Sequence, residues 1–480
     1  MNKSFIYYKE NSKYPEDIYF RPSTAYPEYQ YPGLGFSKEQ NDVYEMIRNM
    51  FIGLELDKEH IGKSDWNPLS SYINENDTVL IKPNFVKHYN ETVKGKKGLE
   101  CLITHPSIIR CVIDYVLIAL KGTGKIIIAD APVQSCDFEK LKIEAGLVKL
   151  EKFYKEAGQN IKFEDLRNYK SERVDGHIIN VPLDFKYKGK VVNLGRHSYF
   201  YNNTTGKNLR ITNYDYRELN KHHNGINQEY CISEACLQAD VIINLPKPKT
   251  HRKAGYTGAL KNMVGINARK DFLPHHTKGS YLSGKGDEYY SSSYNAQVKS
   301  NINDITDILD KKNLYKAGDF IKRIGEMLLS ENSKDEKYSE GSWWGNKTIW
   351  KTILDLNTMV MYADKNGHLK NEPQRKVITI GDMLTAGEKE GPLCPSPKET
   401  GILLFADNSV LFDKILVRLM GFQEEKFILL KEAGKNKKLS LRKFDDHIVS
   451  SNFAGFEAEL TKLNSKYKFT PSGGWREYLN

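Results

Sequence analysis

Three things are missing from this 480-residue chain, and each absence removes a class of function. No two cysteines form a CxxC pair. The six, Cys101, Cys111, Cys136, Cys231, Cys236 and Cys394, are scattered, so neither a zinc ribbon nor an iron–sulfur cluster is encoded. Scattered thiols predict a reducing, cytoplasmic setting. Long hydrophobic runs are also absent. The most apolar helix candidate, Cys111 to Leu120, is too short to span a bilayer and contains Asp114. The opening residues, MNKSFIYYKENSKYPED, lack the apolar core of a signal peptide, so no membrane association is expected. Finally, there is no nicotinamide fingerprint. Gly122-Thr123-Gly124 follows a helical pattern rather than a strand, and Gly258 and Gly265 do not complete a phosphate-loop motif.

A local scarcity says more. From Val241 to Lys270 there are seven Lys or Arg and no Asp or Glu. The segment opens as a buried strand, Val241-Ile242-Ile243-Asn244-Leu245, and then turns basic through Lys247, Lys249, His251, Arg252 and Lys253. Gly255 and Gly258 precede a short helical stretch with Lys261 and Asn262. A strand that empties into a basic loop and enters a helix can hold an anion through backbone N–H groups, the helix dipole and side-chain charge. A merely solvated run would mix in acids. The net charge of +10 suits an acidic ligand or a nucleic-acid partner without demanding either.

The length exceeds what one growing core accommodates. Residues 1–60 read as an irregular Tyr- and Pro-rich arm followed by a helix from Ser37 to Phe51, capped by Ser37. Residues 61–275 read as an α/β core with hairpins inserted at about 170–230. Residues 276–345 form a helical and loop insertion, with a charged tip at Ser333 to Ser339, and 346–480 complete the sheet. Apolar strands at 78–81, 125–129 and 241–245 alternate with helical stretches at 106–120 and 137–155. This is the pattern of an open, mostly parallel sheet with helices on both faces. Two further apolar strands lie at 377–380 and 402–406.

Nearly every apolar strand runs into polar chemistry: Lys82 and Asn84, then Asp130, then Lys247, Lys249 and His251, then Asp382, then Asp407. Ligands of open parallel sheets bind outside the carboxyl ends of the strands, so these groups are expected to converge. Taken singly, Lys82 is better explained as a solvated residue, and Asp130 and Asp407 equally well as helix or turn caps. The pair His275-His276 lacks a third metal ligand. Trp343-Trp344 reads as a packing plug, and Lys435 to Lys443 as a solvated edge.

The motifs Leu245-Pro246-Lys247-Pro248-Lys249-Thr250-His251, Thr257-Gly258-Ala259-Leu260-Lys261-Asn262 and Gly265 resemble the signature of the family called domain of unknown function 362. Lys82-Pro83-Asn84, Thr104-His105-Pro106 and Asp130 are similar to its N-terminal blocks. Gly345-Asn346, Trp350, Asp355-Leu356-Asn357, Gly387-Glu388, Glu390-Gly391-Pro392 and Asp413 are similar to the C-terminal blocks of its longer members. Some members carry a ferredoxin-like module that this chain lacks. For the longer ones the resemblance implies polysaccharide or cell-envelope functions.

The expected protein is therefore an α/β enzyme acting on a phosphorylated or nucleotide-linked sugar, or a carboxylate, by isomerisation or group transfer. Lys82, Asn84, Lys247, Thr250 and Asn262 are the expected ligand contacts. Lys249, Lys261, His105 and His251 are the candidates for base, nucleophile or acid. Asp130, Asp382 and Asp407 would hold a divalent cation or orient those groups. The alternative is a non-catalytic binder of nucleic acid or an acidic polymer, against which stands the lack of aromatics interleaved with the lysines.

Overall fold

A computed structural model describes residues 2–174, 177–184, 186–201, 208–212, 214–312, 314–328, 338–435, 438–442 and 447–479. Most of the charged tip at 333–339, and residues 436, 437 and 443 of the basic run, fall outside these. Among the described residues one sheet of eleven strands organises the chain. Its strands are β1 (Ser4–Tyr8), β2 (Thr78–Pro83), β3 (Lys125–Asp130), β4 (Phe163–Asp165), β5 (Val241–Leu245), β6 (Lys249–His251), β7 (Gly255–Thr257), β8 (Lys376–Glu390), β9 (Cys394–Ala406), β10 (Ile448–Ser451) and β11 (Ala458–Glu459). The spatial order is β11-β10-β1-β9-β8-β5-β2-β3-β4, with β6 and β7 set beside β8.

From β8 to β4 the strands are parallel: β5 pairs with β2 (Val241 opposite Val79) and with β8 (Val241 opposite Lys376), and β2 pairs with β3. The unbroken apolar strands need cover on both faces. Val79, Ile81, Val241 and Ile243 pack on one side, beneath α1 (Asp42–Gly53), α2 (Pro106–Leu120), α3 (Phe138–Glu144) and α4 (Leu147–Glu156). Leu80 and Ile242 enter a core on the opposite side, shared with Leu356 and Met359. That side is covered by α5 (Ala259–Asn262), α6 (Ile349–Tyr362) and α7 (Ser409–Leu419). The fold is α/β with a mostly parallel sheet, and the expected hairpins lie at Tyr169–Val174 with His177–Pro182 and at Gly189–Asn193 with Glu229–Ser233.

Several local expectations change. The strand at 377–380 does not stop at Gly381; β8 runs on to Glu390 and turns back as β9, antiparallel. The arm is not wholly irregular, since Ser4–Tyr8 pairs with β9. The first helix starts at Asp42 because Asn41, not Ser37, caps it by accepting the Tyr44 N–H at 3.0 Å. Ser37 bonds instead to the backbone of Glu39. The helix at 137–155 is two helices, broken where Gly146 adopts φ 76°. Trp343 is fully buried, its indole N–H on the Asp287 carbonyl, and it is the packing plug.

Two buried ion pairs join neighbouring strands where β2, β3 and β5 end and β8 continues. Lys82 of β2 meets Asp130 of β3 at 2.6 Å, and Lys247, just past β5, meets Asp382 of β8 at 2.6 Å. Gly265 passes so close that a Cβ there would overlap both Asp130 Oδ1 and Lys82 Nζ. Removing one partner would leave an uncompensated charge in the core. Lys247→Met is therefore expected to lower the unfolding free energy in urea by about 3–5 kcal/mol; a change below 1 kcal/mol would contradict this role.

Candidate functional site

The residues beyond the strand ends gather into one cationic cluster. Lys249, on β6, is buried and places Nζ 2.5 Å from Asn84 Oδ1. Asn84 passes the contact on, its Nδ2 donating to Asn262 Oδ1 at 2.8 Å. Asn262 Nδ2 donates to Asn244 Oδ1 at 2.7 Å, and Asn244 Nδ2 donates to the Ala259 carbonyl at 3.0 Å. This chain of amides also meets Lys82, whose Nζ lies 3.5 Å from Asn262 Oδ1, and Lys261 precedes Asn262 in the same short helix. Lys270 reaches the same region and donates to the Ala131 carbonyl at 2.8 Å.

Five lysines, Lys82, Lys247, Lys249, Lys261 and Lys270, thus meet two carboxylates, Asp130 and Asp382, and those are taken by Lys82 and Lys247. The uncompensated ones respond as desolvated cations should. Burial holds Lys249 well below the ordinary lysine value, with Lys247 and Lys261 adding to the effect. Burial and the nearby Lys82 pull Lys261 down to about 8, and burial pulls Lys270 down to about 7.

The imidazoles of His251 and His275 adjoin this cluster. Burial keeps both neutral, His251 well below its ordinary value and His275 at about 3, and each feels the charge of Lys261. Their tautomers differ. His251 Nδ1 accepts the backbone N–H of Lys253 at 3.0 Å and of Ala254 at 3.2 Å, so its proton sits on Nε2. His275 Nδ1 lies 2.8 Å from the Leu273 carbonyl, which only accepts, so that proton sits on Nδ1 and Nε2 keeps a lone pair.

Not every expected residue joins. The helix N-terminus that would have held an anion is already filled: the Ala259 and Leu260 N–H groups donate to the Asp413 carboxylate of α7 at 2.6 and 3.3 Å. Gly258 allows this approach, since a Cβ there would strike Asp413. Charge on a ligand must therefore be met by side chains. Thr250 turns away from its neighbours and donates to the Lys389 carbonyl at 2.7 Å.

His105 lies on the other side of the Lys247–Asp382 pair. Its backbone N–H donates to Asp382 at 2.8 Å, and its ring stacks on Tyr14 with centroids 3.9 Å apart. It lines a cavity of about 630 Å³ with Phe20, Lys96, Leu99 and Ile103, apart from the lysine cluster.

The three aspartates do not form a metal site. Asp130 is engaged by Lys82 and by the N–H groups of Phe85 and Ala131, and Asp382 by Lys247, Tyr14 and the His105 N–H. They stand three strand positions apart, about 14 Å at ordinary strand spacing. Asp407 follows β9, whose antiparallel course carries it to the opposite edge of the sheet, where it accepts the Lys3 N–H at 3.0 Å. Among the described residues no group of three or more His, Cys, Asp or Glu could hold a metal.

Four contributors were not singled out from sequence. Asn244 was visible as a polar residue inside an apolar strand. Lys270 and His275 were noticed without this role. Tyr14, which donates to Asp382 at 2.6 Å and accepts from Lys247 at 2.9 Å, gave no signal, being 368 residues from Asp382.

No curated protein matches the chain. A solved protein of Thermotoga maritima is similar at 10% identity and a TM-score of 0.28, over 75% of this chain and 54% of that one. The chain thus spans about half the length of that structure. The family model for a domain of unknown function, number 362, matches residues 79–194 and 187–418. These matches cover most of the chain, including every strand of the parallel part of the sheet and the whole lysine cluster, and the chain belongs to this family.

Proposed function

We propose that this protein is an enzyme that binds a small anionic molecule, a phosphorylated or nucleotide-linked sugar or a carboxylate, in the lysine cluster beyond the sheet. One observation carries the reading: five lysines converge on two carboxylates that are already paired with two of them. Uncompensated buried charge is costly, and proteins keep it where a ligand or a reaction uses it. The ligand's charge would restore balance. Lys249, Lys261 and Lys270 would neutralise it, the two neutral imidazoles would orient it by hydrogen bonds, and Lys261 at about 8 and Lys270 at about 7 suit proton transfer of the isomerase or transferase kind. Placement in polysaccharide or cell-envelope metabolism belongs to this proposal, as does a cytoplasmic location, which the six unpaired cysteines support.

The burial of Lys82, Lys247 and Lys249 argues against the alternative of a nucleic-acid or acidic-polymer surface, since such partners need cations displayed along a groove. No helix among the described residues is long and apolar enough to cross a membrane.

Sulfate keeps its double charge from pH 6 to 9 and is a clean probe. Titration calorimetry is expected to show saturable binding at pH 6.5 that weakens as pH rises to 9, because Lys270 at about 7 and Lys261 at about 8 lose their protons over that range. Lys249→Ala should weaken it about tenfold or more, from one charge-assisted contact of about 1.5–3 kcal/mol. No saturable binding, or binding indifferent to Lys249, would refute the proposal.

Lys261→Met should separate function from fold. It removes a desolvated charge that has no carboxylate of its own, so the urea midpoint should hold or rise while sulfate binding falls. A marked loss of stability would make Lys261 a structural residue.

A further inference from the structure

The cavity of about 630 Å³ beside His105 lies outside the lysine cluster and has its own chemistry. The N-terminal arm contributes Ile18 and Phe20, the stretch before α2 contributes Tyr89, Leu99 and Ile103, and the end of α3 contributes Ile143. Phe20 and Ile103 are buried, but Ile18, Tyr89 and Ile143 are 48%, 43% and 65% exposed. Large apolar side chains left open around one concavity suit an apolar body. Charge there balances. Lys96 is paired with Glu16 at 2.7 Å and Lys140 with Asp137 at 3.4 Å, which leaves Lys94 and Lys149 against Glu100 and Glu144. An uncharged ligand fits that balance.

Two polar groups on this cavity lack a partner. His105 is only 8% exposed, and its Nδ1 accepts the Ser107 N–H at 3.2 Å, so its proton sits on Nε2. Nothing among the described residues accepts from that Nε2–H: the Ser107 hydroxyl, at 2.7 Å, is also on Nδ1. The ring cannot swing away, because Tyr14 stacks on it at 3.9 Å and Phe20 meets it edgewise at 5.5 Å. Glu100 lines the same cavity, half-buried, with neither an ion pair nor a hydrogen bond among the described residues. A donor and an acceptor without partners, set among apolar walls, are what fixes the orientation of a small ligand.

We infer that this cavity binds an uncharged heterocycle with a lactam edge, a ring carbonyl beside a ring N–H, as in uracil and guanine. The carbonyl accepts from His105 Nε2–H, the ring N–H donates to the Glu100 carboxyl, and the ring lies among Phe20, Leu99 and Ile103. This is recognition alone, with no bond made or broken. It does not depend on an anion in the lysine cluster. A site that hydrogen-bonds a ligand N–H rejects an analogue without it, because the buried partner is left unsatisfied.

Saturation-transfer NMR on the full-length protein tests this with uridine and guanosine as probes and 3-methyluridine, whose ring N–H is blocked, as control. The expected result is saturable binding of uridine and guanosine, with 3-methyluridine weaker by about tenfold or more. Glu100→Ala, a change at a half-buried side chain with no protein partner, should weaken uridine by a similar factor while the urea midpoint holds. His105→Asn keeps a side-chain cap for α2 but withdraws the Nε2–H donor, and it should weaken uridine likewise. No saturable binding of uridine or guanosine, equal binding of 3-methyluridine, or binding indifferent to both variants would overturn the inference. Sulfate binding at the lysine cluster should be the same in Glu100→Ala as in the parent protein; its loss would contradict the separateness of the two sites.

Discussion

The site depends on how its negative charge is distributed. Asp130 ends β3 and Asp382 lies midway along β8, and each is engaged by a buried lysine at or just past the carboxyl end of the neighbouring strand. These pairs hold the strand ends together where the backbone would otherwise diverge into loops. They also leave no carboxylate for the remaining lysines. Burial, unrelieved by any further carboxylate, depresses the proton affinities of Lys261 and Lys270 and keeps the flanking histidines neutral, while an amide ladder supports Lys249.

Such a cluster opposes folding. Lys261 and Lys270 bind protons less tightly in the native chain than when unfolded, so folding releases protons. Stability accordingly rises with pH between about 7 and the ordinary lysine range. At neutral pH the native state carries charge that the packed sheet and its helices must offset. Ligand binding to the native state would relieve the same strain and raise stability by mass action.

Much of this was legible in the sequence, for a definable reason. Parallel strands buried on both faces show as unbroken apolar runs, and whatever follows each run lands at the same edge. Lys82, Asp130, Lys247 and Lys249 were therefore placed correctly from local pattern. Asp407 was misplaced by the same rule, because nothing local says that β9 runs antiparallel. Thr250 failed on strand alternation, and the helix N-terminus on a long-range partner, Asp413, that spacing does not reveal. Tyr14 was invisible because its role comes entirely from residues far along the chain.

The central claim is that Lys249, Lys261 and Lys270 together receive an anion. Soaking crystals in selenate and locating selenium by anomalous scattering tests it most directly. The expected result is a selenate within hydrogen-bonding distance of these lysine Nζ atoms, with the Lys82–Asp130 and Lys247–Asp382 pairs undisturbed. Selenate found only on exposed lysines, with the cluster empty at saturating concentration, would contradict it.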